Sequence, residues 1–401
     1  MIKVCVIGLG YVGLPVALGI SSKFETLGFD ISEKRIKDLA VKFDSNREYS
    51  KSDFDRKKIK FSNNFEDLKN SNVYIICVPT PVKKNNLPDL SYIKQSISFI
   101  SPYVKSKDII ILESTVYPGV TEHFAKFLES KTGLKNNKDF YMCYSPERIN
   151  PGDKTKRIKN INKVFAINTN NKFILLKIKK IYKFISKKII FSKKIREAET
   201  AKAIENTQRD LNIAFFNEIL ILSQKMNLNF NEIIKLASTK WNFIKFQPGL
   251  VGGHCLPVDP YYLSYIAKKN KFRTNTLLSG RSTNNYMKNY VISEILKCIK
   301  KNKLNNKVKI LILGISYKYG VSDLRNSLGL KIFSNLKKKY KNTYYYDPFV
   351  NIKNKLTNIK KLKNFKLIIF LSSGKKYKPM FTKAVKNNLL ILDPFNYFIN
   401  M

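Results

Sequence analysis

Histidine is almost missing from this 401-residue chain, which has only His123 and His254. A Ser-His-Asp triad or a multi-histidine zinc site is thereby close to excluded, and no metal is expected. Proton transfers fall to Lys, Asp, Glu, Thr or water. Cysteine is also sparse: Cys5, Cys77, Cys143, Cys255 and Cys298 are scattered, odd in number and without metal-ligand spacing. That pattern speaks for reduced thiols in a cytoplasm and against a disulfide framework. No apolar run approaches the roughly 18–20 residues that cross a bilayer, so no membrane insertion is expected. No signal peptide is expected ahead of the first strand, which begins at Ile2.

Acidic residues are outnumbered, with 29 Asp and Glu against 74 Lys and Arg, for a formal charge of +45. Basic residues are spread as Lys-Lys and Lys-Asn pairs and form no arm or recognised nucleic-acid motif. Lys, Asn, Ile, Phe and Tyr are abundant together, and all have A/T-rich codons. Codon drift accounts for the excess, and no nucleic-acid partner is expected. The positive field can still attract an anionic nucleotide. Segment 172–194, basic and apolar by turns, reads as a solvated β/α face or as a surface for anionic membrane; the first reading carries more weight.

What the chain does have is enough apolar sequence for two or three cores. Residues 2–7 read as a buried strand, followed by Gly8-Leu9-Gly10-Tyr11-Val12-Gly13 and an apolar helix. Further strands are expected at Glu25–Phe29, Asn72–Val78, Asp108–Glu113 and Phe140–Cys143. Strands alternating with helices indicate an α/β fold with an N-terminal, Rossmann-type doubly wound sheet. Glu197–Met226 reads as one long helix in a central helical domain, having no Gly or Pro. Strands at Lys307–Gly314, Thr343–Tyr346, Leu367–Leu371 and Leu389–Leu392 form a smaller C-terminal Rossmann-like α/β domain. The expected domains are 1–195, 196–300 and 301–401.

The glycine turn sits between a strand and a helix, and Asp30 closes the second strand 20 residues after Gly10. In that context Gly8 permits the tight turn, Gly10 admits a pyrophosphate and Gly13 allows close helix–strand packing. Asp30 suits ribose hydroxyls and repels a 2′-phosphate, so NAD is the expected cofactor. Tyr11, Val12 and Arg35 are taken as further contacts. Pro79-Thr80 and Glu113-Ser114-Thr115 follow strands at the end where ligands sit in open sheets. Pro79 can equally just shape its loop, and Thr115 can cap a turn or hydrogen-bond a ligand. Ser145-Pro146-Glu147-Arg148 is a polar turn whose bland reading is a surface ion pair.

Lys202 and Asn206 share a helix face, with Arg209 and Asp210 continuing it. They can stabilise an oxyanion, or simply face solvent. The loop Gly249–Tyr262 sets Cys255 among Gly252, Gly253 and Asp259, and offers a nucleophile. Asp259-Pro260 also reads as a helix cap followed by proline at the first turn. A thiol beside a helix N-terminus and near Lys202 is expected to ionise more easily. His254 is read as structural.

Together, and in this order, these motifs resemble the UDP-glucose/GDP-mannose dehydrogenase family over essentially the whole chain. The most specific stretches are Glu113–Gly119, Tyr144–Asp153, Ile204–Ala214 and the cysteine loop. Their wording is similar to the branch acting on UDP-N-acetylhexosamines, especially the Vi-polysaccharide type of UDP-N-acetylglucosamine/galactosamine 6-dehydrogenase. Val258, where the UDP-glucose branch often has lysine, points the same way. The resemblance implies that Cys255 attacks a C6 aldehyde, giving a thiohemiacetal and then a thioester. It gives Lys202 and Asn206 the developing oxyanion, Asp259 and Thr115 the water and proton relay, and Glu147 hydrolysis or proton removal.

For the UDP-sugar, the resemblance implies contacts from Glu147, Arg148, Lys202, Asn206, Gly252, Gly253, Lys318 and Arg325. Arg281 in Arg281-Ser-Thr-Asn284 would reach the sugar of a neighbouring subunit, implying a homodimer or larger assembly. With Gly314 alone, the last domain need not bind a second NAD. Departures from the pattern are Tyr317, Tyr319-Gly320, Asn285, a lysine-rich stretch from Val164 to Ile190, and a short C-terminal end. The expected activity is oxidation of a UDP-N-acetylhexosamine to its uronate, for surface polysaccharide. Alternatives are UDP-glucose or UDP-ManNAc as substrate, a single-step β-hydroxyacid dehydrogenase, or a decayed nucleotide- or RNA-binding paralogue.

Overall fold

The computed structural model describes residues 1–55, 57–149, 158–356 and 359–398. Asn150–Asp153 of the Tyr144–Asp153 motif thus lie outside the described residues. The fold separates into two compact units, Met1–Glu205 with Tyr261–Arg273, and Asn206–Pro260 with Thr274–Met401.

The first unit is built on eight strands: β1 (Lys3–Ile7), β2 (Glu25–Phe29), β3 (Ile59–Ser62), β4 (Val73–Ile76), β5 (Ile109–Leu112), β6 (Tyr141–Tyr144), β7 (Lys163–Ala166) and β8 (Ile189–Ser192). They lie in the order β3-β2-β1-β4-β5-β6-β7-β8. Every pair is parallel except β6–β7, joined antiparallel at Tyr144 and Ala166. The inner strands β4, β5 and β6 are wholly buried, as a sheet covered on both faces requires. Alternation along β1 sends Val4 and Val6 into one core and Cys5 and Ile7 into the other.

Helices α1 (Gly13–Ile20), α2 (Glu33–Ala40), α3 (Ser91–Ile100), α4 (Val120–Thr132) and α5 (Lys172–Tyr182) cover the sheet. The strand order reverses beside β1, so the carboxyl ends of β1 and β4 open the crevice in which such sheets bind ligands. The long helix α6 (Ile195–Lys225) follows, close to the expected 197–226, and the unit boundary falls within it.

The second unit holds the rest of α6, α7 (Phe230–Ala237), the start of α8 (Asp259–Lys269) and α9 (Asn275–Lys301). It continues with β9 (Ile310–Leu313), α10 (Leu328–Lys339), β10 (Thr343–Tyr346), β11 (Leu367–Phe370), α11 (Lys378–Lys386) and β12 (Leu390–Leu392). Its four strands form a parallel sheet in the order β10-β9-β11-β12. The helical stretch does not keep a core to itself. Phe216, Leu220, Met287 and Ile295 pack in one cluster with Ile310, Ile312, Leu367 and Ile369 of the sheet. Among the described residues, no helix is long and apolar enough to cross a membrane.

Candidate active site

After β1 the chain turns at Gly8, whose φ of +88° an L side chain rarely adopts. A Cβ on Gly13 would lie 1.8 Å from the Gly8 carbonyl oxygen, so α1 can start this close to the strand only with glycine there. Gly10 is exposed, and a Cβ there would meet nothing within 4 Å. Tyr11 and Val12 flank it, half-buried. The Asp30 carboxylate accepts from Leu9 N at 2.8 Å and Ser32 N at 2.9 Å, which leaves lone pairs for further donors.

Arg35 is buried beside this turn. Its Nε donates to Leu9 O at 2.9 Å, and its Nη1 donates to Asp44 at 2.8 Å and Ser45 at 2.9 Å. Its Nη2 is buried and has no hydrogen-bond partner among the described residues. An open glycine turn, an anchored acid and an unspent buried donor fit an NAD adenosine and pyrophosphate.

The loops after β4 and β5 are tied together. Thr80 Oγ1 donates to Thr115 O at 2.7 Å, Ser114 Oγ to Val78 O at 2.6 Å, and Tyr262 OH to Thr80 O at 2.5 Å. Pro79 stays exposed beside them. A buried acid on α6, Glu199, holds the far end of the Glu113–Gly119 loop. It accepts from Gly119 N at 2.6 Å, Thr121 N at 2.9 Å and Thr121 Oγ1 at 2.7 Å, filling the bare donors of the α4 N-terminus.

Glu147 and Arg148 do not form the surface pair of the bland reading. Arg148 turns to Glu205, with Nε 3.2 Å from its carboxylate and Nη2 closer still. Glu147 is buried and lies 2.6 Å from the Nζ of Lys163, a fully buried lysine that also reaches Glu113 at 2.5 Å. Tyr182 OH donates to the other Glu113 oxygen at 2.7 Å. Burial pushes the Glu113 carboxyl up to about 6, with Lys163 pulling it back and Glu147 adding to the rise. Burial alone would lower the Lys163 ammonium, but the two carboxylates hold it above its ordinary value.

In the second unit, Asn206 Nδ2 donates to Asp259 Oδ2 at 2.6 Å, and Arg209 Nη2 donates to Asn206 Oδ1 at 2.7 Å. The guanidinium thereby sets which way the carboxamide faces. Asp259 is buried and starts α8 itself, with Pro260 next. Its N–H and that of Val258 both donate to Cys255 O at 3.0 Å. The cysteine loop is pinned on its other side: Gly253 N donates to Arg325 O at 3.1 Å and Asn326 Nδ2 to Gly253 O at 3.0 Å. A Cβ on Gly252 would stand 2.8 Å from the Tyr317 Cβ, and one on Gly253 2.9 Å from the Tyr317 ring, so this loop tolerates neither. Cys255 is half-buried; Cys5, Cys77 and Cys143 are buried.

On α6 of the first unit, Lys202 is half-buried and makes no ion pair among the described residues. Arg325 is exposed and bidentate to Asp323, at 3.0 and 2.7 Å to one oxygen, and Lys318 is half-buried nearby in sequence. His254 lies 3.9 Å from Asp323, while burial and then Arg325 push its imidazole down to about 4. It is therefore neutral at physiological pH.

Arg281 lies within the packing of its own unit. It is 2% exposed, with Nη1 2.5 Å from Asp210 and Nη2 donating to Asn285 at 2.7 Å. Two of its nitrogens are thus held inside its own chain, while its buried Nε has no hydrogen-bond partner among the described residues. In the C-terminal sheet, Gly314 repeats the turn of Gly8, with a φ of +85° and its N donating to Tyr346 O at 3.0 Å. There the acid corresponding to Asp30 is Asp347, wholly buried. Its oxygens are taken by Ile315 N, Ser316 N, Ser316 Oγ and Phe349 N. Among the described residues, no group of three or more His, Cys, Asp or Glu side chains is arranged to hold a metal.

Residues 2–186, 196–286 and 311–399 match the NAD binding, central and UDP binding domains of the UDP-glucose/GDP-mannose dehydrogenase family. The chain belongs to that family. It is an NAD-dependent nucleotide-sugar dehydrogenase. The UDP-N-acetyl-D-glucosamine 6-dehydrogenase of Pseudomonas aeruginosa is 40% identical over 354 residues, covering 87% of this chain and 83% of that one. Protein CapL of Staphylococcus aureus is 38% identical, covering 98% and 95%. The solved UDP-D-ManNAc dehydrogenase of Pyrococcus horikoshii superposes with a TM-score of 0.89 at 31% identity, covering 100% of this chain and 97% of that one. Sequence reasoning identified the glycine turn and the cysteine loop. It gave no role to Lys163, Tyr182, Glu199 or Arg209, whose partners lie far away in the chain or one helical turn back.

Proposed function

We propose that this dehydrogenase oxidises the C6 alcohol of a UDP-N-acetylhexosamine, UDP-GlcNAc or UDP-GalNAc, to the uronate through a thioester on Cys255. The observation that carries this reading is the pinned loop: a half-buried thiol held by backbone bonds and leading straight into α8. NAD held at the Gly8–Gly13 turn and Asp30 would supply the hydride acceptor for each of two oxidations. Between them the Cys255 sulfur adds to the C6 aldehyde, and afterwards water cleaves the thioester and restores the thiol. Lys202 and Asn206 hold the oxygen that becomes negative. Asp259 and Thr115 position the water and relay its proton, and Glu147 assists hydrolysis.

Gly8, Gly10, Tyr11, Val12, Gly13, Asp30, Arg35, Pro79, Thr80 and Thr115 form the proposed NAD contacts within 1–195. Region 196–300 carries the catalytic helix and dimer contacts. Region 301–401, with Lys318 and Arg325, takes the UDP, joined by Arg148, Gly252 and Gly253. The product serves a surface polysaccharide, and the five thiols without a disulfide suit a cytoplasmic enzyme. UDP-ManNAc is the second reading, favoured by the likeness to the Pyrococcus enzyme. A panel of UDP-GlcNAc, UDP-GalNAc, UDP-ManNAc and UDP-glucose, followed by NAD reduced per sugar, decides between them. UDP-glucose as the fastest substrate would defeat the N-acetyl reading.

The proposed homodimer rests on α6, where Phe215 and Leu222, with Met226 just past its end, are each more than half exposed. Phe215→Asp should convert the dimer to a monomer in light scattering, and an unchanged mass would remove this face from the interface.

A further inference from the structure

The buried ammonium of Lys163 has no part in the chemistry outlined above. Burying a charge this completely costs several kcal/mol unless its partners repay it, so its surroundings show what it holds. Lys163 opens β7, Glu113 follows β5, Glu147 follows β6 and Tyr182 ends α5, so four elements converge on one point. Cys77, buried after β4, faces the same cluster, and Arg148 is turned away to Glu205. Glu147 Oε1 accepts from Arg148 N at 2.5 Å and Ile149 N at 2.7 Å, while its Oε2 meets Lys163. One ammonium thus serves two buried carboxylates. What it gives Glu113 it withholds from Glu147.

We propose that Lys163 is a positioning residue for Glu147, its one ammonium fixing that carboxylate while it is shared with Glu113. This role rests on the thioester reading. Water adds to the thioester carbon, one of its protons passes to Glu147, the C–S bond breaks and Cys255 leaves as thiolate. The proton then returns to sulfur, so thioester and water become acid and thiol. Glu147 works in this step only while ionised.

The competition makes opposite changes at the two partners. Lys163→Met leaves two carboxylates facing each other without a counter-charge, which favours a proton on the pair. Glu113→Gln removes the second carboxylate and leaves the ammonium to Glu147 alone. The test is the acidic limb of the pH profile for acid release. In Lys163→Met it should move up by about one pH unit or more, with kcat reduced about tenfold and KM for the UDP-sugar within about twofold. In Glu113→Gln, a near-isosteric change that keeps the fold, it should move down. Lys163→Arg should return the limb toward the wild-type position.

The same shifts are readable without turnover from the Glu147 carboxyl carbon resonance, assigned by its loss in Glu147→Gln. Limbs that stay put, or that move together in one direction, overturn the role while the thioester reading stands. A wild type that forms no acid from any UDP-sugar overturns both. If Lys163→Met does not fold, Glu113→Gln still decides, since a purely structural lysine would leave its limb in place.

Discussion

Cys255→Ala should lower uronate formation by at least about 10³-fold while NAD and UDP-sugar still bind. The size of the loss follows from the chemistry: without sulfur there is no thiohemiacetal, and the second oxidation loses its substrate. The survival of binding follows from the structure. It is the Cys255 carbonyl, not the thiol, that accepts the Val258 and Asp259 N–H bonds, and the loop is pinned again through Gly253. Alanine keeps all of these. Cys298→Ala is the control; its thiol, on α9, is half-buried and burial raises its pKa, so activity should be unchanged. Kinetics of acid formation together with calorimetric binding read both halves. Acid formed at the wild-type rate by Cys255→Ala would remove the nucleophile from the mechanism.

Arg281→Met should cost about 3–5 kcal/mol of stability, the usual range for breaking one side of a buried ion pair. That is a large part of the roughly 5–15 kcal/mol that holds a domain together. Asp210 would be left buried, with Asn284 Nδ2 at 2.8 Å as its remaining donor. The damage would spread, because Asn284 Oδ1 accepts from Asn217, and Asn217 Oδ1 accepts from Gly249 N at the head of the cysteine loop. Burial already raises the Asp210 carboxyl above its ordinary value, and Arg281 opposes that rise.

The sign of the pH effect is therefore fixed. A carboxyl with a raised folded-state pKa favours the fold when protonated, and that contribution fades as pH rises through the folded value. Removing Arg281 raises the pKa further, so the variant should melt higher at pH 5 than at pH 8. Asp210→Asn added to Arg281→Met should recover much of the loss. Melting curves at the two pH values check this. A variant of unchanged stability whose KM for the UDP-sugar is raised would instead mean that Arg281 contacts substrate.

The contrast between Arg281 and the glycine turn shows what kind of information the chain carries openly. Gly8, Gly13 and Asp30 are legible because local geometry dictates them: a positive φ, a 1.8 Å approach and an acid at a strand end all arise within 30 residues. The long helix is legible from its lack of Gly and Pro, and the C-terminal strands from their short apolar runs, for the same reason. Arg281 is decided by Asp210, 71 positions away, and Lys163 by Glu113, 50 positions away.

In a chain with 74 lysines and arginines, nothing local distinguishes Lys163, the one buried lysine among the described residues. Strands β7 and β8 were hidden in the same lysine-rich stretch, where only the alternation within four residues marks them. The shared core of the middle helices and the last sheet was equally hidden. An amphipathic helix reveals that it has an apolar face, not which surface that face will meet.

The thioester on Cys255 is tested most directly by counting NAD reduced per sugar consumed by the wild-type enzyme, with UDP-N-acetylglucosamine or UDP-N-acetylgalactosamine and the product quenched and identified. The expected result is two NAD reduced for each uronate formed, with no aldehyde captured by a carbonyl trap. One NAD per sugar, with free aldehyde accumulating, would contradict it.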